Sequence, residues 1–381
     1  MSLRYKTDWI LFATVLVMVS FGVVVLYSAS SIMAKLDPRF GSTWHFVILQ
    51  LGWVVVAVTA MMTLKKTNYA KFNSSAVAFT AIGVVLCLLV LVYIVDQHHR
   101  WLRLGPIGVQ PSELAKPALV VFLAFFVTWR GKAINHPRHT LIPAVLAVGL
   151  VIFCVVVPDL GTAAVLGAAS LIVFFVAGLQ WRYCFIVAGI ALLGLVVSIF
   201  VEPYRLARVV KFFDPEFRIV AKFDPQGRIK GRMEETLRTR DTNYQLEQSQ
   251  IAVGAGGPLG LGLMNGKQKL LYLPEAHTDF IYAVVGEEMG LIGSVGVLFG
   301  FGVIFWRGLR ASFRMGDDFG RYLALGVTIV VVVQGLINMS VVLGMMPTKG
   351  IPLPMISYGG SSLLSTLALL GMLMNVSEHA G

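Results

Sequence analysis

Long stretches without charged residues recur along the chain, and their length predicts helices that cross a membrane. A helix needs about 20 mostly apolar residues to span the hydrocarbon core of a bilayer, and nearly every stretch approaches that length. The stretches are 9–31, 44–64, 72–95, 117–129, 140–158, 160–181, 183–201, 289–306, 322–348 and 350–377. We therefore expect an all-α polytopic membrane protein of about ten transmembrane helices, forming a single transmembrane domain over residues 1–381.

Two of these helices reach spanning length only if they include charged residues. The fourth must begin near residue 112 and so carries Glu113 and Lys116, and the eighth must extend back to Asp279 and so carries Glu287 and Glu288. Ionisable groups are costly inside a membrane and usually mark a functional site. We expect both helices to contribute to such a site.

The composition agrees with a membrane protein. Hydrophobic residues make up 57% of the chain and charged residues 13%, about half the charged share of a soluble domain. The net charge of +11 does not indicate nucleic-acid binding, because most basic residues outside one long segment lie in short loops between apolar stretches. The three cysteines fall within apolar stretches, with no spacing typical of a disulfide framework or a metal site.

The distribution of Lys and Arg over the short loops predicts the orientation in the membrane. With a cytoplasmic N-terminus, thirteen of these residues fall on the cytoplasmic side and six on the outer side, as the positive-inside rule requires. Both termini are then cytoplasmic. The charged segment 202–278, between the seventh and eighth helices, is left out of this count and is predicted to be a long extracytoplasmic loop. Its glycine-rich part, 251–266, matches neither a Walker loop nor a dinucleotide fingerprint, so we expect no bound nucleotide.

Ionisable residues near the outer ends of the helices form the candidate site. Glu113 and Lys116 are three residues apart on one helical face and can pair, either to bind substrate or only to hold the fourth helix. Asp159 follows Pro158 between two helices and is either a site residue or the N-cap of the sixth helix. The full set on this face is Arg100, Arg103, Glu113, Lys116, Asp159, Asp279, Glu287, Glu288 and Lys349.

Asp279 is the best candidate for a catalytic base. We expect Thr278 to cap the eighth helix and Asp279 to lie in its first turn. A carboxylate that stays ionised but poorly solvated at a membrane edge is suited to accept a proton from a sugar hydroxyl; the alternative is an acid that only favours the helix dipole. Helical geometry makes Glu287 the expected second carboxylate. His277 is a weaker candidate, whose alternative is a solvated loop residue.

Proline and glycine interrupt the apolar pattern before the tenth helix, in Pro347-Thr-Lys-Gly350 and in 352–362. Such residues free backbone polar groups, which at membrane depth are tolerated only where they face protein or a wet cavity. We expect a re-entrant or unwound entry to the tenth helix. There Lys349 with Ser357 and Ser361 would bind an anionic head group; the alternative is a tight packing turn.

Several motifs together resemble the SEDS family, the shape, elongation, division and sporulation proteins. The resemblance covers nearly the whole chain with the motifs in the same order. Within the family, Lys267-Gln-Lys-Leu-Leu-Tyr-Leu273 and Pro347-Thr-Lys-Gly350 resemble the division branch more than the elongation branch. The motifs are Gln110-Pro-Ser-Glu-Leu-Ala-Lys116, Pro158-Asp-Leu-Gly-Thr162, Pro274-Glu-Ala-His-Thr-Asp-Phe-Ile281, Gly286-Glu-Glu-Met-Gly290 and Ile356-Ser-Tyr-Gly-Gly-Ser-Ser362. The loop between Asp214 and Tyr244 departs from the family pattern, because it is longer and more charged.

The resemblance implies a GT-C-like fold and a peptidoglycan glycosyltransferase in the bacterial inner membrane, at the division septum. It would polymerise lipid II on the outer face, together with a class B penicillin-binding protein and regulators of division. The family's essential loop aspartate falls on Asp279, and its cavity residues fall on Glu113 and Lys116. Family members also use a divalent cation, Mg²⁺ or Mn²⁺, for which no ligand set is visible in the sequence.

We hypothesise an inverting displacement in which Asp279 is the general base. Arg100, Lys116 or Lys349, or a metal ion, would stabilise the charge of the pyrophosphate leaving group. Two alternatives stay open: a flippase that moves lipid II across the membrane, and a scaffold without catalytic activity that recruits division proteins. A flippase should carry charged groups along both halves of its path, whereas here they cluster on one side.

Overall fold

The computed structural model describes residues 7–37, 40–96, 99–104, 107–214, 217–218, 224, 231, 233, 242–270, 272–347 and 350–380, and within these ranges the chain is mainly helical. Nine of the described helices are long and apolar enough to cross a membrane, and a tenth apolar helix, Leu160–Val176, is shorter. The prediction of about ten transmembrane helices is confirmed.

The first third of the chain forms four long helices and a small hairpin. α1 starts where Asp8 accepts a hydrogen bond from the N–H of Leu11, and α4 starts with Pro111 at its first position, where the missing N–H costs nothing. The elements are α1 (Trp9–Leu36), α2 (His45–Lys66), a 3-10 turn (Tyr69–Phe72), α3 (Ser75–Val95), the antiparallel strands β1 (Leu102–Leu104) and β2 (Ile107–Val109), and α4 (Pro111–Arg130).

The rest of the chain adds six helices of very different exposure. Two further helices lie within the segment that was predicted to be a long loop. A π-helical turn (Pro137–Leu141) extends α5 backwards to spanning length. The helices are α5 (Ile142–Val156), α6 (Leu160–Val176), α7 (Trp181–Val201), α8 (Pro203–Phe213), α9 (Thr242–Gly256), α10 (Ile281–Arg314), α11 (Asp318–Val342) and α12 (Gly360–His379). Of these, α8 and α9 lie within 202–278.

The centre of the bundle consists of α4, α11 and α12. In each of these helices 78% of the spanning window is buried inside the protein, against 6% for α7. Polar side chains in the middle turns of the three central helices are therefore buried against other parts of the protein rather than exposed to lipid. This arrangement lets α4 carry Glu113 and Lys116 at membrane depth, as the sequence predicted.

α10 is broken at Gly290, whose backbone angles of φ 63° and ψ −155° are not helical. Residues 257–268, here called the glycine-rich loop, fill the break. Gly262 donates its N–H to the carbonyl of Glu288 at 2.9 Å, and Leu291 donates its N–H to the carbonyl of Gly257 at 2.9 Å. A side chain on Gly290 would collide with the main chain of Gly260. The loop thus satisfies backbone groups that the break frees inside a membrane protein.

The start of α10 differs from the prediction. The helix begins at Ile281, its N-cap is Phe280, and no side chain caps it. Thr278 instead bonds through its hydroxyl to the carboxylate of Glu275 at 2.9 Å. Asp279 consequently lies in a turn that precedes the helix, and not in its first turn.

The entry to α12 is irregular, as predicted. Residues 350–359, here called the re-entrant segment, contain no helix, and α12 begins at Gly360. Gly22 of α1 packs so closely on this segment that an added Cβ would lie 2.6 Å from the carbonyl oxygen of Met355.

Ion pairs join the helices at the end of the bundle opposite Asp279. Asp8 accepts hydrogen bonds from Arg307 of α10 at 2.7 Å and from Ser377 of α12 at 2.8 Å. Lys65 of α2 pairs with Glu378 of α12 at 2.7 Å. Four helices are thereby held together at this end.

Candidate active site

The main chain around Asp279 is held by three hydrogen bonds to consecutive carbonyls. We call residues 277–279 the strap. The carbonyl of His277 accepts from the N–H of Tyr358 at 3.0 Å. The carbonyl of Thr278 accepts from the hydroxyl of Ser357 at 2.5 Å. The carbonyl of Asp279 accepts from Nδ2 of Asn338 at 2.8 Å. Each peptide unit of the strap is therefore fixed from outside its own segment.

The donors to the strap are themselves anchored. Ser357 accepts a hydrogen bond from the N–H of Leu353 at 2.8 Å, which closes a turn of the re-entrant segment. Asn338 of α11 also donates to the carbonyl of Ile351 at 2.6 Å. Gln334, one turn earlier on α11, donates to the carbonyl of Pro352 at 2.9 Å. α11 and the re-entrant segment together form the seat of the strap.

Gly350 lies directly against the carboxylate of Asp279. A Cβ on this glycine would overlap Oδ2 of Asp279 and lie 3.0 Å from its Cγ. The residue as a whole is partly exposed, and one side of its carboxylate faces the glycine. Only a residue without a side chain leaves room for the carboxylate in this position.

The surroundings of Asp279 raise its pKa to about 6 from an ordinary value of 3.8. Burial is the main cause, the negative charges of Glu275 and Asp159 add to it, and the positive charges of Arg100 and Arg208 oppose it. A carboxylate with this pKa is ionised at neutral pH and is a stronger base than an ordinary aspartate.

Two arginines bring positive charge to Asp279 from different elements. Arg100 precedes the β1–β2 hairpin, and its Nε atom is buried without a hydrogen-bond partner among the described residues. Arg208 lies on α8, which is fixed to the end of α5 by Arg205: its guanidinium donates to the carbonyls of Val156 at 3.1 Å and Val157 at 2.5 Å. Arg208 was missed in the sequence because the long loop was read only for its length and charge.

The predicted pair of Glu113 and Lys116 forms inside the bundle. Their side chains are each 1% exposed and meet at 2.6 Å. Lys116 also donates to Oε1 of Gln334 at 2.6 Å, and Ser365 donates to Glu113 at 3.0 Å. The observed contacts of the pair are thus to neighbouring helices, and a direct role in substrate binding stays a prediction.

Asp159 is the N-cap of α6, the alternative that the sequence left open. Its Oδ1 accepts from the N–H of Thr162 at 3.0 Å, and its Oδ2 accepts from the Thr162 hydroxyl at 2.7 Å and from Gln110 at 3.2 Å. The N–H of Gln110 donates in turn to Ser361 at 3.1 Å. Asp159 and Ser361 are therefore linked through one residue at the start of α4.

His277 is buried, so the alternative of a solvated loop residue is wrong. Its ring centroid lies 4.8 Å from that of Phe46 and 5.8 Å from that of Tyr358. Burial lowers the pKa of His277 below its ordinary value, while the charge of Glu275 opposes the shift. A neutral imidazole packed among aromatic rings holds the strap in place.

Glu287 and Glu288 bind the glycine-rich loop. Glu287 accepts hydrogen bonds from the N–H groups of Lys267 at 2.7 Å and Gln268 at 3.2 Å. Glu288 pairs with Lys269 at 2.5 Å, and Ser28 of α1 donates to the same carboxylate at 2.7 Å. The contacts of Glu287 hold the loop, while its expected role as a second carboxylate beside Asp279 stays a prediction.

Lys349, the remaining predicted site residue, lies outside the described residues. The hydroxyls of Ser357 and Ser361, predicted to bind an anionic group, are hydrogen-bonded to the main chain, since Ser361 donates to the carbonyl of Gly108 at 3.3 Å. Their substrate role stays a prediction as well.

The described side chains do not form a metal site of their own. In the part of the chain that the structure describes, no three His, Cys, Asp or Glu side chains come together as ligands. Both oxygens of Asp159 already accept hydrogen bonds. Mg²⁺ is often held by one or two carboxylates together with substrate phosphates, so the expected divalent cation stays a prediction that depends on the substrate.

Sequence reasoning missed three residues that position Asp279. Gly350 belongs to the motif Pro347-Thr-Lys-Gly350, in which the lysine and not the glycine was the candidate residue. Gln334 and Asn338 are four residues apart in an apolar helix, and uncharged amides at that spacing within a span indicate a shared interior face. That signal was available and was not used.

These observations define a polytopic membrane protein with a carboxylate, near two arginines, in a fixed turn at one end of its helix bundle. The model of a family described as cell cycle protein, which covers FtsW, RodA and SpoVE, matches residues 8–381. The chain belongs to this family, and the resemblance to the SEDS proteins is confirmed.

Individual relatives are similar over almost their whole length. A probable peptidoglycan glycosyltransferase FtsW of Geobacter sp. (strain M18) is 36% identical over 98% of this chain and 97% of its own. The stage V sporulation protein E of Bacillus subtilis (strain 168) is 34% identical over 99% of this chain and 98% of its own.

Two solved structures share the fold. A chain of a peptidoglycan synthase complex, solved to explain the coordination of polymerization and crosslinking, superimposes with a TM-score of 0.73 and 28% identity over 98% of both chains. The rod shape determining protein RodA of Thermus thermophilus superimposes with a TM-score of 0.65 and 26% identity over 98% of this chain and 97% of its own.

The buried pair of Lys269 and Glu288 generates a prediction about stability. Lys269→Met leaves the Glu288 carboxylate buried without its counter-ion, which costs about 3–5 kcal/mol of unfolding free energy. We expect a clear fall in the thermal unfolding temperature of the purified protein in detergent.

Lys267→Met is the matched control, because Lys267 is exposed and only two residues away. It should leave the unfolding temperature nearly unchanged. The double variant Lys269→Met/Glu288→Leu should recover part of the loss, since it removes both charges. Equal unfolding temperatures for Lys269→Met and Lys267→Met would contradict a stabilising role for the pair.

Proposed function

We propose that the protein is a peptidoglycan glycosyltransferase that polymerises lipid II into glycan strands during bacterial cell division. The observation that carries this proposal is the placement of the Asp279 carboxylate. Hydrogen bonds to three consecutive main-chain carbonyls hold its chain segment, and two arginines bring positive charge to it. The names of its relatives support the same activity, as does the fold shared with a chain of a peptidoglycan synthase complex.

In the proposed reaction the 4-hydroxyl of the acceptor sugar attacks the anomeric carbon of the donor. The new bond joins the acceptor oxygen to that carbon, and the bond to the undecaprenyl pyrophosphate breaks with inversion. Asp279 accepts the proton of the hydroxyl as attack proceeds. The rigid strap keeps the carboxylate where the hydroxyl can reach it, which lowers the entropic cost of the step.

The leaving pyrophosphate needs positive charge, and among the described residues Arg100 and Arg208 bring positive charge to Asp279. Guanidinium groups bind phosphate oxygens in pairs of parallel hydrogen bonds. The Arg100 Nε atom, buried without a partner among the described residues, is available for such a bond. Lys116 is engaged by Glu113 and Gln334, and we therefore assign the leaving-group role to the arginines first. A divalent cation bound with the substrate would add to this charge.

The setting of the reaction follows from the charge bias of the loops. The Asp279 end of the bundle lies at the outer face of the cytoplasmic membrane and both termini are cytoplasmic. At the septum the protein works with a class B penicillin-binding protein, which crosslinks the strands, and with regulators of division. A solved structure of similar fold comes from a complex that couples polymerization to crosslinking, which supports a partner of this kind.

The contacts at the opposite end of the bundle argue against a flippase. A transporter must open that end in turn, and here Asp8, Arg307 and Ser377 join three helices while Lys65 and Glu378 join α2 to α12. A scaffold without catalytic activity has no need for a carboxylate whose pKa is raised to about 6.

Loss of the Asp279 carboxylate should abolish polymerisation. Removing a general base typically costs about 10²–10⁴-fold in rate, and we expect this loss in Asp279→Asn. The assay follows glycan strands formed from lipid II by the purified chain with its cognate penicillin-binding protein, with transpeptidation blocked.

Asp318→Asn is the control, since Asp318 is an exposed acid near the start of α11 at the opposite end. It should make strands at the wild-type rate. Strands from Asp279→Asn at that same rate would refute the assignment of the base, and no strands from the wild type in a folded complex would shift the weight to the flippase and the scaffold.

The raised pKa of Asp279 predicts the pH dependence of the reaction. A base acts only when ionised, so kcat/KM should rise with pH through a midpoint of about 6 and level off above it. Below the midpoint the rate should fall about tenfold per pH unit, as for a single titrating group. Initial rates between pH 4.5 and 8 would test this, and a flat profile over that range would exclude Asp279 as the base.

A side chain at position 350 should displace the catalytic carboxylate. In Gly350→Ala the new Cβ overlaps Oδ2 of Asp279, and a misplacement of this kind costs about 10²-fold in rate. Gly302→Ala in α10 is the control, because nothing lies within 4 Å of a Cβ there. We expect a large loss of kcat in the first variant, none in the second, and intact folding in both. An active Gly350→Ala enzyme would contradict the tight packing against Asp279.

A further inference from the structure

We propose that Asn338 is a positioning residue for Asp279, whose amide fixes the strap against the re-entrant segment so that the carboxylate keeps its place beside Gly350. This inference rests on the proposed function, because it gives Asn338 a role in placing the general base. Asn338 does not touch the reacting atoms and acts only through the main chain of Asp279.

The geometry of the amide supports this role. Nδ2 of Asn338 donates two hydrogen bonds, at 2.8 Å to the carbonyl of Asp279 and at 2.6 Å to that of Ile351. The side chain is 2% exposed. One buried group thus joins the residue that carries the carboxylate to the residue next to Gly350, on which that carboxylate packs.

The other atom of the same amide shows that the arrangement has a cost. Oδ1 of Asn338 is buried and has no hydrogen-bond partner among the described residues. An unpaired buried polar atom is unfavourable, yet turning the amide over would place Oδ1 against two carbonyl oxygens. Proteins keep such unfavourable groups mainly where function requires them, and both N–H bonds are made here at the expense of Oδ1.

Gln334 extends the connection towards the centre of the bundle. It donates to the carbonyl of Pro352 at 2.9 Å and accepts from Lys116 at 2.6 Å. The two amides of α11 therefore hold adjacent carbonyls of the re-entrant segment. The intramembrane pair of Glu113 and Lys116 thus contacts the site through Gln334.

The charged groups that face Asp279 define what a displacement would change. Among the described residues they are Arg100 before the hairpin, Asp159 at the start of α6, Arg208 on α8, and Glu275 on the chain segment of the strap itself. If the strap loosens, Asp279 gains water, and loss of burial is the largest change it experiences. The pH midpoint of the reaction should then move down from about 6 towards the ordinary aspartate value.

The first readout is amide hydrogen exchange of the peptide that covers residues 276–283, which does not depend on activity. In Asn338→Leu, a substitution of similar volume without donors, we expect exchange there to rise about tenfold or more, because loops released from tertiary contacts open more often. Asn338→Ser, whose side chain is too short to reach both carbonyls, gives the same test in a variant that the polar site tolerates better.

Asn375→Leu is the matched control. Asn375 is also a buried asparagine with main-chain partners, since it donates to the carbonyl of Lys65 at 2.6 Å and accepts from the N–H of Tyr69 at 2.8 Å. It lies at the opposite end of the bundle. Its loss should raise exchange around residues 65–72 and leave residues 276–283 unchanged, while the reverse pattern is expected for Asn338.

The second readout is the polymerisation assay with lipid II. For the Asn338 variants we expect kcat to fall about 10- to 100-fold, as for a misplaced catalytic group, with KM changed less than about threefold and the pH midpoint lowered. Asn375→Leu should keep the wild-type kcat and pH midpoint even where its unfolding temperature falls. A purely structural role for Asn338 would lower the unfolding temperature and leave the pH midpoint unchanged.

The outcomes separate the two proposals. Wild-type exchange at 276–283 together with a wild-type pH midpoint, in either Asn338 variant that folds, overturns the inference and leaves the proposed function intact. A wild type that makes no strands overturns the proposed function, and the exchange pattern then still decides whether Asn338 holds the strap.

Discussion

The hydrogen bonds to the three carbonyls of the strap determine where the candidate site lies. Asp279 sits in a turn with no helix to hold it, at the edge of a membrane, where an unpaired backbone group is costly. Ser357 and Tyr358 from the re-entrant segment and Asn338 from α11 satisfy these groups. A carboxylate can therefore remain fixed without a helix of its own.

The polar side chains within the bundle form hydrogen bonds to other parts of the protein. Lys116 neutralises Glu113, orients Gln334, and through it supports the re-entrant segment. Such a network is stable inside a bundle only when nearly every member is paired. Since α4, α11 and α12 are the most buried of the spanning helices described, the region behind the carboxylate is enclosed by protein, whereas α7 lies at the periphery of the bundle.

Much of the site was predictable because charge is informative in a membrane protein. The cost of ionisable groups within a span pointed to Asp279 and to the pair of Glu113 and Lys116, and Pro and Gly pointed to the re-entrant segment. The spacing of Asn338 and Gln334 indicates an interior face of α11, but the sequence does not reveal the partners of Asn338, which are carbonyls 59 and 13 residues away. The start of α10 was predicted wrongly for a related reason: the local cap signal of Thr278 was outweighed by tertiary bonds to the strap.

The position of the re-entrant segment and α12 late in the chain has a consequence for biosynthesis. Helices are inserted in order of synthesis, yet Glu113, Asp8 and the strap find partners in Ser365, in Ser377 and in the re-entrant segment. Until the re-entrant segment and α12 are inserted, each of these earlier groups lacks at least one of its partners. The candidate site is therefore completed last during assembly. A nascent or truncated chain then exposes incompletely paired polar groups that membrane quality control can recognise.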